Sequence, residues 1–134
     1  MISSEEYITK VQAYFNFLID DFNFQINKVS VNGNIYYNVE YINHNVTISI
    51  SLETIENYIR VVIYKNSSKE ISTSEDVKTL YLNVLTKNTL EHTSQLEFDL
   101  NNTYFKKFNP ENGIDKMILK NAKDLRICLK STTL

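Results

Sequence analysis

Glycine is almost missing from this chain, with two in 134 residues. Phosphate loops and dinucleotide fingerprints need several glycines in a short span, because backbone amides must approach the anion closely. Gly33 and Gly113 stand far apart, so both motifs are excluded. No Gly-x-Ser-x-Gly elbow occurs either. Cys128 is the one cysteine, which rules out an internal disulfide. The two histidines, His44 and His92, have no second metal ligand at helical or hairpin spacing. Each reads as a surface histidine, and no metal or other cofactor is expected. Cys128 reads as a structural thiol near the end of a helix rather than as the nucleophile of a Cys–His pair. No run of about 18 apolar residues exists, so no membrane span is expected. The opening MISSEEYITK lacks the basic and apolar regions of a secretory leader. A cytoplasmic location is therefore the expectation, and the sequons at Asn45, Asn66 and Asn101 read as chance in a chain with 17 asparagines.

Arginine is also scarce, two against 12 lysines, and charge of neither sign dominates. Residues 1–58 carry a net −5 and residues 59–134 a net +3. A nucleic-acid binder would concentrate its basic charge, so nucleic acid is not an expected partner. The excess of asparagine, isoleucine and lysine is what AT-rich codons supply, which points to a bacterial source and says nothing of function.

What the chain does have is a core. It is 43% hydrophobic with 16 aromatic residues, and its length suits one domain over residues 1–134. Ser3-x-x-Glu6 is a capping box. Tyr7, Val11, Tyr14, Phe15, Leu18 and Phe22 then recur at three- and four-residue steps, which predicts one helix of about five turns. In the stretch FLIDDFNFQI, Asn23 falls just past the last periodic residue. Asparagine tolerates the left-handed conformation that ends helices, so the stretch reads as a corner. Asp20 and Asp21 then face solvent, a reading that outweighs a paired-carboxylate site because neighbouring residues on a helix point about 100° apart.

A meander follows. Asn32-Gly33 predicts a two-residue hairpin turn of type I′. Ile35, Tyr37, Val39 and Tyr41 alternate with Tyr36, Asn38, Glu40 and Ile42. Val46, Ile48, Ile50 and Leu52 alternate with Thr47, Ser49, Ser51 and Glu53, and Ile59, Val61 and Ile63 with Tyr58, Arg60, Val62 and Tyr64. Such alternation means an antiparallel sheet with one face on a core and one face wet. Ser74-Glu75-Asp76 predicts a helix start, continued by Val77, Leu80, Tyr81, Val84 and Leu85. Leu96, Phe98 and Leu100 alternate as in a short strand or an extended connection. Asn109-Pro110-Glu111 reads as a cap with proline at the first position of a last helix. The expected fold is α+β: an N-terminal helix, a four-stranded antiparallel meander, and C-terminal helices packed on one face of the sheet.

The wet face of that meander holds the candidate binding residues, Tyr36, Asn38, Glu40, Tyr58, Arg60 and Tyr64. Tyrosine and arginine are enriched at protein–protein hot spots, since they offer large contact areas with polar tips. The competing reading is a plain cross-strand ladder, or a face covered by later helices. Lys116, Lys120, Lys123 and Lys130 share one side of the last helix. They read as a solvated face more readily than as an anion stripe.

The layout YFNFLIDDFNFQI…NIYYNVEYINHNVTISISLE…NYIRVVIYK resembles a loose group of small bacterial proteins, many of them immunity proteins of polymorphic toxin systems. Phe22-Asn23-Phe24, Val39-Glu40-Tyr41 and Ile48-Ser49-Ile50 carry the resemblance, which spans roughly residues 7–64. Members often have glycine where Asn23 stands. The resemblance is one of hydrophobic pattern and transfers no functional residue. It implies a stoichiometric, non-catalytic role: binding one toxin domain and blocking or distorting its active site. The helix–meander unit also looks somewhat like a type III secretion chaperone, an acidic dimer that holds an extended partner. The leucine-rich, glycine-containing opening expected there is missing. A small-ligand-binding protein or enzyme is the remaining alternative, and sequence leaves the oligomeric state open.

Overall fold

The structure, a computed structural model, describes residues 2–66 and 79–131. Its elements run α1 (Ser4–Tyr14), α2 (Phe17–Phe22), β1 (Gln25–Asn32), β2 (Tyr36–Ile42), β3 (Val46–Glu53), β4 (Tyr58–Lys65), β5 (Thr79–Tyr81), α3 (Leu82–Leu90), α4 (Gln95–Tyr104) and α5 (Gly113–Ser131). The fold is α+β. The sheet is antiparallel throughout, in the order β1-β2-β3-β4-β5. It has five strands where the sequence predicts four.

Alternation sets the two layers. Tyr37, Val39, Tyr41, Ile48, Ile50, Leu52, Val61 and Ile63 point to one face and are buried there under the helices. The Tyr7 hydroxyl, wholly buried on α1, donates to the Ile50 carbonyl at 2.8 Å and fixes that helix over the middle of the sheet. β1 is an edge strand. Its register shifts between Ile26 and Lys28, and Val29 and Val31 on its inner face remain exposed, so the helical layer stops short of it. A bulge and a lysine are common ways to blunt such an edge.

The leading helix is two helices. The Ser3 side chain caps α1 by accepting from the Glu6 amide at 3.1 Å. The helix then breaks at residues 15 and 16. Phe15 and Phe17 are both wholly buried, yet residues two apart on one helix point about 160° away from each other. One straight helix cannot bury both, and the break turns Phe17 inward. Asn23 ends α2 with φ 61° and ψ 30°, as the corner reading requires, and the Phe24 amide returns to the Leu18 carbonyl at 2.9 Å. Asp20 and Asp21 are exposed. Because a β-carbon disfavours this conformation, Asn23→Ala is expected to cost about 1 kcal/mol and Asn23→Gly nothing. Urea melts of the two variants check this, and equal losses would show that the capping geometry is not what matters.

The first hairpin differs in detail. Asn32 stays in β1 opposite Tyr36, so the loop has three residues, and Gly33 alone takes the positive angle, φ +56°. Thr79, Leu80 and Tyr81 form β5, whose register pairs Val62 with Tyr81, and the helix begins only at Leu82. Ser74, Glu75, Asp76 and Val77, predicted to start that helix, lie outside the described residues. Leu96, Phe98 and Leu100 are helical, not extended: Ser94 and Glu97 form a full capping box at the start of α4. Leu96 and Leu100 are exposed there, and the helix buries Asn101 instead. The last helix starts at Gly113, beyond the predicted proline position. Its cap is Asn112, whose side-chain oxygen takes the Asp115 amide at 2.9 Å. Asp115 is itself buried, accepting from the Glu111 amide at 3.2 Å and pairing with Lys10 at 3.3 Å.

Candidate functional site

The outer face of the sheet is built in rows, because each register pair on that face stands side by side. The first row is Tyr36, Glu53 and Tyr58, and the second is Asn38, Ser51 and Arg60. The third is Glu40, Ser49, Val62 and Tyr81, and Tyr64 lies opposite Thr47 in the fourth. Small residues occupy the middle strand and large ones flank it. The result is a trough of about 480 Å³ with Ser49, Ser51 and Val62 low and four tyrosines (36, 58, 64 and 81) along the walls. Ser49, Ser51 and Val62 are buried.

Four of the six candidate residues line this trough: Tyr36, Tyr58, Arg60 and Tyr64. Asn38 does not line it; its side-chain oxygen accepts from the Ser49 hydroxyl at 2.7 Å. Glu40 sits to the side, opposite Lys28 and accepting from Asn27 Nδ2 at 2.7 Å. Arg60 spans two rings, with its guanidinium carbon 5.5 Å from the Tyr58 centroid and 5.9 Å from that of Tyr81. Burial pushes the Tyr64 hydroxyl above its ordinary value; Tyr36, Tyr81 and Glu40 add to this and Arg60 opposes it. Tyr64 therefore remains a neutral donor at ordinary pH.

Ser49, Ser51, Glu53, Glu56, Val62 and Tyr81 also line the trough and are not among the six candidates. Tyr81 reads from sequence as helical, because Leu80, Tyr81, Val84 and Leu85 fit helical spacing and a three-residue strand has almost no period. Glu53 was on the correct face but looked like any polar position of a strand. Glu56 belongs to the β3–β4 turn and enters only through three-dimensional proximity.

No family model, no curated protein and no solved structure matches this chain. Among the described residues no three His, Cys, Asp or Glu side chains gather as a metal site would require. No described helix is long and apolar enough to cross a membrane. His44 and His92 are exposed, in the turns after β2 and α3. Lys116, Lys120 and Lys130 are exposed on α5 and Lys123 is half-buried; Lys120 is paired with Asp124 at 2.9 Å.

Cys128 is wholly buried, with its sulfur 3.7 Å from the Thr86 hydroxyl. Burial raises its thiol, with hydrogen bonds from Thr89 and Thr86 acting the other way. A protonated, enclosed thiol is inert. A thiol-reactive chromophore is therefore expected to label the native protein no faster than the protein opens. Stoichiometric labelling within seconds would show the thiol to be accessible.

A second polar cluster is structural. Arg126 on α5 is buried, donates to Asn101 Oδ1 at 2.9 Å, and lies 4.0 Å from the Tyr104 ring centroid. Lys107 approaches the same ring at 4.7 Å. Burial lowers the Arg126 value, while Tyr104 and Asp21 support its charge. Asn101 Nδ2 donates in turn to the Lys123 carbonyl at 3.0 Å. This network holds α4 on α5, a role sequence could not reveal because it depends on one buried arginine.

Proposed function

We propose that this chain is a non-catalytic protein-binding module, an immunity-type inhibitor that docks a cognate toxin domain on the open face of its sheet, in the cytoplasm. The observation that carries this is the trough itself. Four tyrosines and an arginine stand together on the antiparallel sheet and line the trough. Such side chains give large contact areas at low entropic cost when neighbours already hold them in place. Arg60 is held in this way between Tyr58 and Tyr81. The pattern resemblance to immunity proteins supports the choice of partner, and an inhibitor that works by steric block needs no reacting groups.

A secondary reading is a small-ligand site, favoured by the trough volume of about 480 Å³, within the range of ligand pockets. One experiment separates the two. The full chain is immobilised and exposed to lysate of its source cells, and retained proteins are identified by mass spectrometry. Equal-stoichiometry capture of one protein with a toxic domain, whose activity the purified chain then suppresses, is the expected result. Absence of any retained protein at micromolar bait would overturn the inhibitor reading and leave the ligand reading to be tested by small-molecule screening.

A further inference from the structure

Charge is not evenly spread along the trough. Its charged lining residues are Glu53, Glu56 and Arg60, and both glutamates lie at the end formed by the β3–β4 turn. Glu53 stands directly between Tyr36 and Tyr58 across three strands. Both rings are accessible, Tyr36 at 38% and Tyr58 at 51%. The Glu53 carboxylate is half-buried and fixed by the Glu56 amide, which donates to it at 2.9 Å. Among the described residues no cation pairs with it: the ion pairs found there are Lys10–Asp115 and Lys120–Asp124. Arg60, one row away, lies over Tyr58 and Tyr81 instead. Glu40 is already engaged by Asn27.

We propose that Tyr36, Glu53 and Tyr58 form a receptor for a basic side chain, a lysine or arginine presented by the docked protein. The identity of the carrier rests on the docking reading above; the chemistry of the receptor does not. A cation is attracted to an aromatic face within about 6 Å of its centroid, and more so when partly desolvated. Glu53, which the register sets between the two tyrosines, adds a full opposite charge beside them. The opposite assignment, an anion site at Arg60, places the anion beside two carboxylates and is the weaker electrostatic choice.

The test is a titration of the full chain, labelled with carbon-13 tyrosine, and needs no partner protein. The probes are N-acetyl-lysine amide and N-acetyl-arginine amide, with neutral N-acetyl-norleucine amide and inorganic phosphate as comparisons. Tyr36→Phe and Tyr58→Phe assign the resonances. Saturable shifts of the Tyr36 and Tyr58 rings by a basic probe are expected, with Glu53→Gln weakening binding by about two- to fivefold. The stronger of the two basic probes then names the side chain. Three results would each overturn the proposal: no saturation by either basic probe, equal shifts from norleucine amide, or unchanged affinity in Glu53→Gln. Phosphate shifting the same rings with no response to lysine or arginine would overturn it in favour of an anion site. Failure here leaves the docking face standing, and failure to retain a partner leaves this titration unaffected, so the two ideas fall separately.

Discussion

Phe17→Ala is expected to lower stability by about 3–5 kcal/mol, the range found when a large buried aromatic is truncated. Phe17 is wholly buried, and its ring centroid lies 6.0 Å from Phe15, 6.1 Å from Phe22, 6.4 Å from Tyr104 and 5.9 Å from Phe105. Three of these contacts are edge-on, at 82°, 89° and 86°, the arrangement in which the positive ring edge meets a negative face. Phe17 also exists as a core residue only because the leading helix breaks beside it. Truncation therefore loosens the corner of α2 and the end of α4 together, and little nearby material can fill the space. Urea unfolding measures the loss, with Leu96→Ala as the comparison. Leu96 is 66% exposed, so its truncation is expected to cost less than about 0.5 kcal/mol. A Phe17→Ala loss no larger than that of Leu96→Ala would mean that the aromatic cluster does not join these elements.

The same residues explain what sequence could and could not say. β2, β3 and β4 were legible because each alternates for seven or eight residues, and a face on a core admits only one register. Asn23 was legible because its left-handed conformation is chosen locally, by chemistry that few residues share. The break at residues 15 and 16 was not, since Tyr7 through Phe22 fit one stripe and only the burial of Phe17 contradicts it. α4 reads from sequence as extended for the converse reason. Its apolar residues alternate, two of them face solvent, and its attachment to α5 runs through Asn101 and Arg126 rather than an apolar stripe. The local signal, Ser94-x-x-Glu97, was present and outweighed the alternation. For the site, the wet face of the meander could be assigned residue by residue. Its concave shape could not, because one wall is Tyr81, brought in by a strand of three residues.

If the outer face is the docking surface, Tyr58→Ala with Arg60→Ala is expected to weaken partner binding by about a hundredfold or more, since tyrosine and arginine at the centre of an interface each contribute about 2 kcal/mol or above. Stability should change by less than about 1 kcal/mol, because both side chains are exposed and neither belongs to the core. The two effects should not add. Arg60 rests on the Tyr58 ring, so Tyr58→Ala alone frees the guanidinium and removes part of what Arg60 contributes. The double variant is then expected to lose less affinity than the two single losses combined, with Tyr81 still restraining Arg60 in part. Lys116→Ala, on the solvated side of α5, should leave affinity unchanged. Titration calorimetry against the purified partner measures the two single variants, the double variant, Lys116→Ala and the natural chain. A double variant that binds as tightly as the natural chain would remove the meander face from the interface. Equal losses from Lys116→Ala and from the trough variants would replace a specific surface with a diffuse charge effect. A deficit from strict additivity would locate the binding energy in an arginine that two tyrosines hold in place before the partner arrives, which is preorganisation measured at a single cation.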